Sequence, residues 1–263
     1  MTAPARSDMG TMLNKVPAVT LIFWVIKIMS TTVGETGADY LAVNVGLGTV
    51  TTTAIMAACL AAALVLQLRM RRYVPWIYWL TVVLVSIVGT QITDFLTDKL
   101  GISLEFSTAV FAVALAAIFA VWFFVERTLS IHSIVTRRRE LFYWLAILCT
   151  FALGTAAGDL ATEALGFGFY LGVFAFGSLI ALIALAYEFG ANPVLTFWLA
   201  YILTRPLGAS LGDLLSQSRE YDGLGFGTVY TSLCFLSVIV VLVAIVTVKP
   251  AAAERRAPAG GQA

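Results

Sequence analysis

The chain has 263 residues, 60% of them apolar and only 12% charged, with a formal net charge of +1 and a mean hydropathy of +0.93. A soluble domain carries about 25% charged residues, so the composition excludes a soluble globular protein and makes the lipid bilayer the main solvent. The net charge by itself says nothing about nucleic acid; the basic residues sit in short clusters between apolar runs, and no nucleic-acid partner is expected.

Only helices or closed barrels satisfy their backbone polar groups inside a bilayer. The apolar runs are about 20 residues long without strict alternation, which selects helices. In chain order, residues 1–16 form a polar leader with no evident cleavable signal, and the first apolar run begins near Pro17. Eight spans are predicted, near 17–40, 49–68, 75–97, 106–126, 141–162, 169–188, 194–215 and 228–248. They group into repeats of two helices at 17–73, 74–134, 135–191 and 192–249. Residues 250–263, rich in Ala, Pro, Gly and Arg, read as a disordered tail.

The repeat is visible in the first helix of each unit. An aromatic–Trp pair is followed ten residues after the Trp by Gly and five later by Asp. The copies are Phe23-Trp24, Gly34, Asp39; Tyr78-Trp79, Gly89, Asp94; Tyr143-Trp144, Gly154, Asp159; and Phe197-Trp198, Gly208, Asp213. The Trp residues are 55, 65 and 54 positions apart, a period that marks one supersecondary unit copied four times. Two helices per unit make the copies parallel, related by an axis along the membrane normal. The connecting loops carry Gly46/Gly48, Gly101/Ser103, Gly166/Gly168 and Gly225/Gly227.

A carboxylate at mid-bilayer costs roughly 2.5–3.5 kcal/mol on insertion scales, so four in register imply use. Identical positions in parallel repeats face one axis, and a ring of Asp39, Asp94, Asp159 and Asp213 is expected there. The bland alternative is that each helix ends at its Asp, leaving it solvated. One turn before each Asp stand Glu35, Thr90, Thr155 and Ala209, and one turn earlier Thr31, Ser86, Phe151 and Arg205. Carboxylates and hydroxyls suit hard cations. The candidate ion and metal ligands are therefore Glu35, Asp39, Asp94, Asp159 and Asp213, with Thr31, Thr90 and Thr155 beside them.

Lys27 and Arg205 are the charge partners within the spans. Lys27, three residues past Trp24, is placed either to snorkel to the interface or to stay inside. Arg205 should pair with Glu35 or an aspartate, and Pro206 should kink its helix. The surplus of acids over bases favours a cation ligand over an anion. Gly34/Ala38, Gly89/Thr93, Gly154/Gly158 and Gly208/Gly212 form the small-xxx-small pattern of closely packed membrane helices. The Trp residues read as an interface belt, His132 as a surface residue, and Cys59, Cys149 and Cys234 as small packing residues.

Orientation follows from Lys and Arg. Arg6, Lys15, Arg69, Arg71, Arg72, Arg127, Arg137, Arg138, Arg139, Lys249, Arg255 and Arg256 share one side, against Lys99 and Arg219 on the other. That bias puts both termini in the cytoplasm and each Asp about 22 Å beyond its Trp, in the outer half of the membrane.

With these motifs in view, the chain resembles the family of bacterial membrane proteins built from four tandem copies of a repeat of unknown function (domain of unknown function 347). The resemblance is carried by Lys27–Asp39 (KIMSTTVGETGAD), Tyr143–Asp159 (YWLAILCTFALGTAAGD) and Ile202–Gln217 (ILTRPLGASLGDLLSQ), and extends from about Lys15 to Val248. It implies the repeat fold and a bacterial inner-membrane location, and brings no activity with it.

The sequence thus gives an all-α integral membrane protein of eight helices in four parallel repeats, with helices 1, 3, 5 and 7 innermost. No Ser-His-Asp set, HExxH, Walker loop or CxxC is present, and neither enzymatic activity nor a cofactor is expected. The favoured function is a secondary transporter or channel for an inorganic cation, a divalent metal such as Mn²⁺ or Mg²⁺, with proton coupling through the same acids. The competing class is a scaffold, sensor or intramembrane enzyme in which the aspartates are structural partners of Arg205. The sequence is compatible with a homo-oligomer.

Overall fold

A computed structural model of the chain describes residues 14–43 and 49–256. Eight long helices carry it: α1 Leu21–Val43, α2 Thr49–Arg69, α3 Pro75–Asp94, α4 Leu104–Glu126, α5 Arg137–Asp159, α6 Gly168–Glu188, α7 Pro193–Ser216 and α8 Thr228–Arg256. Seven of them are long and apolar enough to cross a membrane. The eighth, α1, is the one interrupted by Lys27, Ser30, Thr31, Thr32, Glu35 and Asp39. The leader up to residue 13 and the Gly46/Gly48 loop lie outside the described residues.

Local sequence accounts for the boundaries. Pro occupies the first turn of α3 and α7, where its missing N–H costs nothing. Ser103, Thr136 and Asn192 cap α4, α5 and α7 by accepting from backbone N–H groups of the first turn. Gly101, Gly166, Gly168, Gly225 and Gly227 have φ between +66° and +80°, a conformation that favours glycine in these loops. In the second repeat the later loop Gly is replaced by Ser103, which serves as the helix cap instead. α8 runs to Arg256, and residues 257–263 of the expected tail lie outside the described residues.

Repeats interlock rather than stand side by side. Contacts run α1–α3, α3–α5, α5–α7 and α7–α1, a closed circuit of the first helices. Each second helix leans on the next repeat's first helix: α2 on α3, α4 on α5, α6 on α7 and α8 on α1. In their most apolar windows α3, α5 and α7 are 56%, 61% and 56% buried, against 22%, 11%, 6% and 17% for α2, α4, α6 and α8. The even-numbered helices turn Leu, Val and Phe side chains outward, among them Val113, Phe124, Phe174 and Leu182, as a lipid-facing layer does.

The glycine ten residues past each Trp explains the close circuit. A Cβ at Gly34 would overlap Ser86, one at Gly89 would meet Phe151, one at Gly154 would meet Arg205, and one at Gly208 would overlap Thr31. Each glycine therefore receives the residue seven past the Trp of the next repeat, and the fourth returns to the first. Gly208→Ala should destabilise by about 1–3 kcal/mol through overpacking, read as a lower unfolding midpoint in detergent. Gly177→Ala, whose new methyl would find only Leu207 at 3.9 Å, should show no loss.

The aromatic couples close the same circuit. Phe23 packs on Trp79 at 5.6 Å, Tyr78 on Trp144 at 5.5 Å, Tyr143 on Trp198 at 6.2 Å and Phe197 on Trp24 at 5.7 Å between ring centroids. The expected interface belt is thereby corrected. Trp79, Trp144 and Trp198 are buried between repeats, each against an aromatic ring of the preceding repeat.

Below this aromatic tier the segment before α1 is fastened across the bundle. Lys15 pairs with Glu140 at the start of α5 and donates to Leu68 O at the end of α2, while its backbone N–H bonds Ile134 O. Gln67 Nε2 donates to Glu140 Oε1 at 3.1 Å. All three side chains are buried. Removing the bridging amide with Gln67→Ala leaves an acceptor of Glu140 short of a donor, at about 1–3 kcal/mol, measurable in the same unfolding assay.

Candidate cation site

The inward faces of α1, α3, α5 and α7 repeat every four residues from the Trp. Three positions past it stand Lys27, Val82, Ile147 and Tyr201; seven past, Thr31, Ser86, Phe151 and Arg205; eleven past, Glu35, Thr90, Thr155 and Ala209. All twelve are buried. The aspartates form the next tier. Asp213 is buried, and Asp39, Asp94 and Asp159 are half-buried.

Arg205 is the hub of these tiers. It belongs to α7, yet its Nη2 donates to Glu35 Oε2 of α1 at 2.5 Å and to the Thr90 hydroxyl of α3. Its Nε and Nη2 donate to Thr155 Oγ1 of α5 at 3.0 and 2.8 Å, and Nη1 donates to the Thr31 carbonyl of α1 at 2.8 Å. One guanidinium therefore joins all four repeats, using the planar fork of donors that lysine lacks. Of the alternatives the sequence offered, Glu35 is its partner. Among the described residues no aspartate forms an ion pair with it.

On one side of this hub, carboxylate oxygens of Glu35, Asp39 and Asp213 all lie within 4.8 Å of one another. A group of this size and composition could hold a cation. The side chain of Asp213, 7% exposed, has neither a hydrogen bond nor an ion pair among the described residues. Asp94 and Asp159 lie outside this group, although each stays within electrostatic range of Glu35. Their helices change winding directly after them: π-helical turns run Phe95–Lys99 and Leu160–Ala164, whereas α1 and α7 continue as α-helix beyond Asp39 and Asp213. Thr90 and Thr155 present their hydroxyls to Arg205 rather than to the three acids, and Thr31 Oγ1 donates to Ile28 O and Thr204 O.

On the other side of the hub lies Lys27. The structure settles its open placement against snorkelling: the side chain is 1% exposed, with Nζ 3.9 Å from the Phe151 ring centroid and 4.3 Å from that of Tyr201. Nζ has no hydrogen-bond partner among the described residues. Aromatic faces compensate a desolvated cation in part. Tyr78 and Tyr143 share a 2.5 Å hydroxyl–hydroxyl bond in the tier beyond. The sequence pattern pointed to Arg205 and Glu35. It missed Lys15, Gln67 and Glu140, whose only signal was an acid and a base at span ends. His132 is exposed and the three cysteines are unpaired.

The profile described as Repeat of Unknown Function (DUF347) matches residues 22–73, 77–128, 142–189 and 196–249. No curated protein and no solved structure matches the chain.

Proposed function

The chain belongs to this repeat family, whose description names no activity, and from its own residues we propose that it carries an inorganic cation, most simply a divalent metal such as Mn²⁺ or Mg²⁺, across a membrane. The reading is of a secondary transporter or channel, not an enzyme. The four repeats run parallel with α1, α3, α5 and α7 innermost, in a bacterial inner membrane with both termini cytoplasmic, and protons exchange through the same acids. Homo-oligomerisation is compatible with the apolar outer helices.

One observation carries the proposal: three carboxylates within 4.8 Å of one another, with Asp213 buried and unpartnered among the described residues. Like charges held this close in a weakly polar site repel strongly, and a divalent cation offsets that repulsion. The site is skewed to the first and fourth repeats, so Asp94 and Asp159, in the same tier but outside the three-acid group, add negative charge beside the site rather than serving as ligands of the same ion. Calorimetric titration of detergent-purified protein with Mn²⁺ and Mg²⁺, followed by uptake into proteoliposomes, tests the reading. Absence of binding and uptake for both ions overturns it.

A second reading is favoured by Arg205 itself, which bonds three other helices. In that reading the charged groups hold a scaffold or sensor together and move nothing. Mutation of Asp39 would then leave every measured property but stability unchanged.

A further inference from the structure

Arg205 already holds one oxygen of the Glu35 carboxylate that a metal in the three-acid group would use. Its guanidinium stays charged under all ordinary conditions, and its Nη2 takes Glu35 Oε2, one of the three grouped carboxylates. Bonds to Thr31 O, Thr90 and Thr155 hold it between that group and the Trp end of the bundle. Phe151 of the same tier and Tyr201 of the next toward the Trp end are buried and enclose Lys27, and the interlocked aromatic couples follow. Asp213, nine-tenths buried and without a partner among the described residues, completes the group from the same helix as Arg205.

We propose that Arg205 is a tethered cation that competes with the substrate metal for Glu35, so that the metal is taken up by exchange with the guanidinium and not by passage through an open pore. This rests on the cation reading above. Three carboxylates and one guanidinium leave two negative charges when all are ionised, which matches a divalent ion. A metal bound to Glu35, Asp39 and Asp213 releases the guanidinium from its carboxylate while the two threonines and the Thr31 carbonyl still hold it. The adjoining Pro206 lacks the N–H that would bond the Ile202 carbonyl, so the helix has one bond fewer at the turn that must adjust. The arrangement selects on charge: a monovalent ion gains too little from the acids to displace a guanidinium already in place.

The test is a double-mutant cycle on the full-length, detergent-purified protein, with Mn²⁺ affinity as the readout. Arg205→Gln should bind Mn²⁺ at least about tenfold more tightly than the unmodified chain. In a Glu35→Gln background the same change should alter affinity by less than about threefold, because the competition runs through Glu35. Should Arg205→Gln fail to fold, Arg205→Lys serves: an ammonium cannot hold Glu35, Thr90, Thr155 and Thr31 together, and Mn²⁺ should bind about threefold more tightly. Equal or weaker binding by the folded variant overturns the competition, as does equal tightening with and without Glu35. If the unmodified chain and all variants bind neither Mn²⁺ nor Mg²⁺, the cation reading itself falls, an outcome distinct from these.

Discussion

Replacing Arg205 with alanine is expected to cost about 3–5 kcal/mol, the penalty for removing one side of a buried pair. The guanidinium is 1% exposed and is the only ion-pair partner of Glu35 among the described residues. The same change strips hydrogen-bond donors from Thr90, Thr155 and the Thr31 carbonyl and loosens the seat that Gly154 makes for the side chain. Denaturant or thermal unfolding in detergent gives the measurement. The double change Arg205→Ala with Glu35→Ala should recover part of the loss, because it leaves no acid behind. An unchanged unfolding midpoint for the single variant would count against the pair as a structural hub.

The second large effect concerns the acids themselves. Asp39→Asn and Asp213→Asn keep the side-chain size and remove one charge each from the three-carboxylate group. Each should weaken Mn²⁺ binding by at least about tenfold, or 1.4 kcal/mol. Ala209→Ser, on the buried face one turn before Asp213, adds a hydroxyl without charge and should change affinity far less. Ligand carboxylates must be ionised to hold a metal, so binding weakens as pH falls and releases protons to the buffer as metal loads. Titration in two buffers of different ionisation enthalpy would reveal that proton release. If the two Asn variants bind as the unmodified chain does, the group is not the ion site.

The two variant sets separate stability from function. Arg205→Ala acts first on the bundle, whereas Asp39→Asn removes a half-buried carboxylate that bonds no other helix among the described residues. Loss of stability in the first with loss of binding in the second supports a hub beneath an ion site. Loss of stability in both, without any ion dependence, supports the scaffold.

Much of this was legible in one sequence because the unit is copied. The constant Trp–Gly–Asp spacing fixes which residues share a face at 3.6 residues per turn, and four copies with the same spacing give matching tiers without knowledge of the fold. The concentration of polar residues in the first and fourth copies likewise pointed to a pair between Arg205 and an acid of the bundle, with Glu35 and the aspartates as the candidates. Chain periodicity could not decide how the helices cross. That depended on Gly34, Gly89, Gly154 and Gly208 admitting the neighbouring helix, and on each second helix leaning on the next repeat. Close approach turned the Trp side chains inward and enclosed Lys27 between Phe151 and Tyr201. It also chose Glu35 over the aspartates for Arg205 and left Asp94 and Asp159, each at the start of a π-helical turn, outside the three-acid group. The sequence by itself determined the tiers, since a tier needs only periodicity along one helix. Only the tertiary structure decided which members of a tier touch, since contact depends on inter-helix distance, set by side chains from two parts of the chain at once.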